Sequence, residues 1–174
     1  MKLDRAEILR YLKMGRAEPD AALSARIDRL EREVLAAARP VSRRRKVATA
    51  DLPFQSRDLC RCLRGAREAY LFAATLGHDV DRLIRKYAAL SAADLLIVQA
   101  IAATAIEAYI DDETASWGER LLPRFSPGYG DLPLSVQPDF LAALDAQKTL
   151  GITLTETFLM IPSKSVTAII GIQP

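Results

Sequence analysis

One acidic residue inside a small, aliphatic helical run, Glu107 in Ala102-Ala-Thr-Ala-Ile-Glu-Ala-Tyr-Ile110, is the first position whose type needs a chemical explanation. At 100° per residue Thr104, Glu107 and Asp111 lie within about 60° of one another and form a narrow polar stripe. Such a stripe is either the solvated edge of the helix or the wall of a pocket. In a pocket an ionised carboxylate needs a cation or hydrogen-bond donors. The second feature is Arg124-Phe-Ser-Pro-Gly-Tyr129. Pro127 fixes its own φ and restricts Ser126, while Gly128 reaches conformations closed to other residues, so the loop holds one shape. It suits a ligand with a carboxylate and a heteroaromatic ring, Arg124 clamping the first and Tyr129 offering a ring face to the second. The structural alternative is an ion pair of Arg124 with Asp131 or Glu119. The third feature is the run from Leu154 to Thr167. Thr155 and Glu156 stand there either at a strand end beside the pocket or in the turn chemistry of a strand crossing. Met160 and Ile161 read as core.

Other chemistries lack their residues. The chain has 174 residues, 24 Lys+Arg against 22 Asp+Glu, a formal charge of +2, one histidine, two cysteines and 50% apolar residues. That is one domain with a sizeable core. Zinc hydrolases, histidine triads and base-off cobalamin carriers each need a positioned imidazole. The one histidine, in Leu76-Gly-His-Asp-Val80, reads as a surface or helix-start residue. No phosphate-binding glycine loop opens a helix. Cys60 and Cys62 are too close and too few to staple a secreted fold, which points to a reducing cytoplasm. The N-terminus lacks the apolar core of a signal peptide, and no stretch reaches the roughly 18 uncharged apolar residues of a spanning helix, so no membrane partner is expected. The basic run Arg43-Arg-Arg-Lys46 is short and without aromatics, which fits a solvated strand rather than a nucleic-acid surface.

The elements that must position these residues follow from periodicity. Residues 4–14 predict a short helix stopped by Gly15, and residues 21–39 an exposed amphipathic helix ended by Pro40. Residues 41–54 predict a strand with a charged, outer beginning, 56–64 a helical turn, 68–77 a buried central strand, and 79–87 a helix. Ser91-Ala-Ala-Asp94 has the shape of a capping box at the head of a long central helix that reaches about Trp117. The Pro- and Gly-rich stretch after it predicts an ordered loop through Leu134, then a helix over 140–149 closed by Gly151. Residues 152–154, 158–161 and 166–172 predict three short strands. The expected fold class is α+β: a single domain with a twisted, largely antiparallel sheet packed with a long central helix and flanking helices. Within it, residues 1–40 form a helical segment and 41–174 the core.

Arg124-Phe-Ser-Pro-Gly-Tyr129, then Leu154-Thr-Glu-Thr157, Met160-Ile-Pro162 and Ser165-Val166, resemble in order and spacing the motifs of the activation (reactivation) domain of cobalamin-dependent methionine synthase. Ala105-Ile-Glu-Ala-Tyr109 matches that family's stretch with its helical glutamate. The resemblance covers roughly residues 71–172.

It implies a C-shaped α+β domain that binds S-adenosylmethionine and caps a cobalamin domain. There the methyl group and an electron from a flavodoxin-like donor restore methylcobalamin from cob(II)alamin. The implied ligand-contacting residues are Glu107, Arg124, Ser126, Pro127, Gly128 and Tyr129, with Thr155 and Glu156 beside them. Arg124 would hold the methionine carboxylate, Glu107 the positive end, and the loop with Tyr129 the adenosine. No side chain need act as an acid or base; the chain's share is positioning and desolvation. Ser126 stands where the large enzyme's loop has alanine, Gly-Asp-Leu-Pro-Leu134 follows Tyr129, and the tyrosine pair of longer members has no counterpart before Pro174. The expectation is an accessory subunit, not a complete methyltransferase, acting on the cobalamin-binding domain of a methionine synthase or another corrinoid protein that presents the cobalamin. The alternative is a docking module for such a protein that has lost S-adenosylmethionine binding.

Overall fold

The computed structural model describes every residue except Gly15, Arg16, Phe54 and Pro174. In chain order the elements are α1 (Arg5–Tyr11), α2 (Ala21–Ala37), β1 (Val41–Ala48), α3 (Arg57–Leu63), β2 (Glu68–Thr75), α4 (His78–Leu90) and α5 (Ala92–Ala115). Then come β3 (Leu121–Phe125), α6 (Gln137–Ala143), α7 (Ala146–Leu150), β4 (Thr153–Leu154), β5 (Met160–Ile161) and β6 (Ser165–Ile172).

β2 is buried at every residue after Glu68, as its continuous apolar run requires of a strand covered on both faces. It pairs antiparallel with β1 on one side and β6 on the other, and β6 pairs antiparallel with β3, giving the order β1-β2-β6-β3. Alternation divides the core. Tyr70, Phe72, Ala74, Ala168 and Ile170 face α1, α2, α4 and α5, through residues such as Ile8, Leu30, Val80 and Ile101. Ala69, Leu71, Ala73 and Ile169 face α3, α6 and α7, through Leu59, Phe140 and Ala146. Three layers result, with helices on both sides of the sheet.

α5 is apolar around most of its circumference because the sheet and three helices surround it. By length and composition alone it could cross a membrane, but 56% of its most apolar window is buried inside the fold. Its head shows how the helices are fastened. Ser91 Oγ accepts from the Asp94 N–H, as a capping residue should. The Asp94 side chain does not complete the box; it accepts from Arg26 Nε and Arg29 of α2. These arginines, Arg26 foremost, hold the Asp94 carboxyl below its usual range. Alongside, the Tyr87 hydroxyl donates to Glu33 at 2.7 Å, so α2 is tied to both α4 and α5.

Four expectations need correction. The stretch after α5 is not all loop, since Leu121–Phe125 forms β3. Its Pro123 obscured the strand, yet β3 is an edge and its register shifts between Leu121 and Arg124, where a missing N–H is tolerated. The first strand ends at Ala48 in a 3-10 turn, Thr49–Asp51. The helix over 140–149 is two helices, broken at Asp145 with φ 50° and closed by Gly151 in the same left-handed region. Ile161 is 40% exposed, not core. Gly15 and Phe54, expected ends of a helix and a strand, lie outside the described residues. On the outer edge, Arg44 of β1 lies over the Trp117 ring at 4.4 Å, so aromatics do accompany the basic run in space.

Ile101 is fully buried in the core that the helices α1, α2, α4 and α5 share with the sheet. Ile101→Ala should lower unfolding free energy by roughly 2–5 kcal/mol in urea titrations, because truncating a fully buried core side chain leaves a cavity that its neighbours fill only in part.

Candidate functional site

The site begins where β3 stops. Phe125 is opposite Ile169, but β6 runs on to Ser165 with β2 on one side and no β3 partner on the other. Ser126 and Pro127 leave the sheet there, and a cleft of about 520 Å³ opens along the free edge of Ser165, Val166 and Thr167. This volume lies within the roughly 300–1,000 Å³ of small-molecule sites. Glu107 and Arg124 line one end. Leu134, Gln137 and Met160 complete the wall, Gln137 coming from the opposite sheet face.

Arg124 pairs with neither Asp131 nor Glu119. Its NH2 donates to Glu107 Oε2 at 2.7 Å and lies 3.4 Å from Asp111 Oδ1. The polar stripe of α5 therefore supplies the carboxylates, and the strand end supplies the cation. Their side chains are 43% and 29% exposed, and pairs in such contact with water are worth about 0–1 kcal/mol. The pair is thus easily opened. Thr104, the third member of the stripe, is buried and donates to its own helix at Ala100. Glu107 also borders a groove of about 370 Å³ between α1 and α5, which Asp4, Glu7 and Arg10 share.

The Pro-Gly-Tyr loop is held from within and from below. Gly128 N donates to Leu132 O at 2.8 Å, and Leu132 N to Tyr129 O at 3.1 Å. Gly128 has φ +93°, and a Cβ would press on Leu134 at 3.0 Å; one at Gly130, φ +54°, would collide with the Asp58 carboxylate. Asp131 then caps α3 from outside, accepting from Ser56 Oγ and from the N–H groups of Arg57 at 2.9 Å and Asp58 at 3.2 Å. These donors, Ser56 first, pull its carboxyl down to about 2.

Glu107, Arg124, Ser126, Pro127 and Tyr129 line the cleft, and the Tyr129 ring is 67% exposed at its mouth. Gly128 shapes the loop without lining it. Thr155 and Glu156 are not brought to the cleft. They lie in the turn between β4 and β5, where Leu159 N donates to Thr155 Oγ1 at 3.1 Å and Glu156 is exposed. The turn chemistry claims that hydroxyl. The Met-Ile-Pro-Ser motif is structural in part: Asp81 of α4 accepts from the Ser163 N–H at 2.9 Å and its hydroxyl at 2.7 Å, which fixes the entry to β6. Sequence reasoning missed Gln137, Ser165 and Thr167. The readable signal was two polar residues at alternate positions of an otherwise apolar strand.

No family description and no curated protein matches the sequence. The fold has a counterpart in the crystal structure of the MetH reactivation domain bound to AdoHcy, with a TM-score of 0.59 over 98% of this chain and 70% of that one, at 16% identity. The chain has the fold of the MetH reactivation domain. The α+β class expected from the sequence is therefore correct, and at 98% coverage the likeness takes in the N-terminal helices, where no motif resembled that family.

A carboxyl whose folded-state pKa lies below its ordinary 3.8 contributes stability that is full above that value and disappears as pH falls through about 2. Asp131→Asn, which resembles the protonated acid, should melt below the wild type at pH 7. The two melting temperatures should converge between about pH 4 and pH 2 in thermal scans.

Proposed function

We propose that this chain is an activation-domain-like subunit that binds S-adenosylmethionine and presents it to a corrinoid protein. The observation that carries this reading is the Glu107–Arg124 pair beside a rigid Pro-Gly-Tyr loop, at the sheet-edge cleft of a fold shared with a domain solved with AdoHcy. The amino-acid end of such a ligand is a zwitterion, and the pair offers it one partner for each charge: Arg124 for the carboxylate, Glu107 for the ammonium. The loop backbone and the exposed Tyr129 ring are available to the nucleoside. S-adenosylmethionine would supply a methyl group on a sulfonium. This chain would hold it, orient it and exclude water, with the cobalamin presented by a methionine synthase or other corrinoid partner in the cytoplasm and an electron from a flavodoxin-like donor.

A second reading is a docking module for a corrinoid protein without ligand binding; it is favoured by one feature, the closure of Glu107 and Arg124 on each other. Calorimetric titration with AdoHcy and S-adenosylmethionine separates the two. The wild type should give a binding signal, and Arg124→Ala should weaken it roughly 10- to 100-fold, the scale of a charged hydrogen bond. No signal from either protein, with or without a corrinoid protein, sinks the ligand claim. Capture of that corrinoid protein under the same conditions would then leave the docking reading standing.

A further inference from the structure

Gln137 is both buried and incompletely bonded. It is the first residue of α6, is 2% exposed, and its Oε1 accepts from Thr167 Oγ1 at 3.0 Å. Its Nε2 has no acceptor among the described residues, and it is not one of the fully enclosed orphan atoms. The space that Gln137 borders is the cleft. A carboxamide carries two N–H donors, and since Nε2 is not sealed off and its residue lines the cleft, those donors stand where an acceptor on a guest can meet them.

Its place in the cleft limits what that acceptor belongs to. Glu107 reaches the cleft from the α5 side of the sheet, and Gln137 from the α6 side. Arg124 is opposite Ile170 on β6, and Thr167, which holds Gln137, is three residues further along that strand. At about 3.3 Å per residue the two anchoring points are roughly 10 Å apart. An elongated ligand with a charged head and a neutral polar tail spans that separation.

We propose that Gln137 is a specificity-determining residue for the nucleoside half of the ligand. Its Nε2 donates to a ring or ribose acceptor, while Glu107 and Arg124 hold the amino-acid half across the sheet edge. Thr167 is a positioning residue that fixes the carboxamide through Oε1. The inference rests on the S-adenosyl reading above.

The test uses the full chain with two probes, AdoHcy and 5′-methylthioadenosine, which keeps the nucleoside and lacks the amino-acid head. Arg124→Ala should weaken AdoHcy and leave methylthioadenosine unchanged. Gln137→Glu keeps an acceptor for Thr167 and removes both donors; it should weaken both probes roughly tenfold, the scale of one hydrogen bond. Thr167→Val should give a smaller loss for both probes, and Thr167→Ser should restore binding. Gln137→Leu, with melting temperature followed in parallel, guards against an effect of the added charge. Unchanged AdoHcy binding in both Gln137 variants overturns the inference and leaves the proposed function intact. A loss confined to AdoHcy also overturns it, because the nucleoside half would then be read elsewhere. A wild type that binds neither probe overturns the proposed function and this inference together.

Discussion

Pro127 has no N–H to place in a ladder, and at Ser126 and Pro127 the chain leaves β6. The whole site depends on that early departure. β6 is paired with β2 along its buried length but with β3 only from Ile169 onward, so three residues of a central strand border open space. A strand edge inside a folded domain is unusual, because unpaired backbone groups there must be met by something. Here the cleft gives them access to solvent or to a guest. Both sheet faces contribute walls because the gap lies at the rim, not on a face.

The supports of the gap are polar, and they work at a distance from it. Asp131 fixes the far end of the loop by capping α3, Asp81 fixes the approach to β6 through Ser163, and Asp94 gathers α2 to the start of α5. Each is a carboxylate receiving several donors, an arrangement stronger than a single exposed ion pair. The cleft itself carries the weaker, water-facing pair.

Much of this was legible in the sequence where one signal acted alone. β2 declares itself by a continuous apolar run, α5 by length and a capping serine, and the Pro-Gly-Tyr loop by residues with few conformations. Legibility failed where a tertiary partner decided the outcome. Pro123 speaks against a strand until the strand is known to be an irregular edge. Asp94 looks like half of a capping box until two arginines arrive from α2. Thr155 and Glu156 fit a pocket as well as a turn, and only the short β4–β5 pairing shows that the turn holds them. Gln137 carried no local signal at all, since its importance lies in one bond to a residue thirty positions away.

With Arg124 closed on Glu107 and near Asp111, the charges at this end of the cleft already meet one another. Any guest that separates them must then replace two charges at once. A simple carboxylate would take Arg124 and leave Glu107 to water, and a simple amine would take Glu107 and leave Arg124 to Asp111. An amino-acid head group settles both in one step. On the proposed function, the internal pair therefore favours guests that carry both charges, by no more than the roughly 0–1 kcal/mol of a water-facing ion pair.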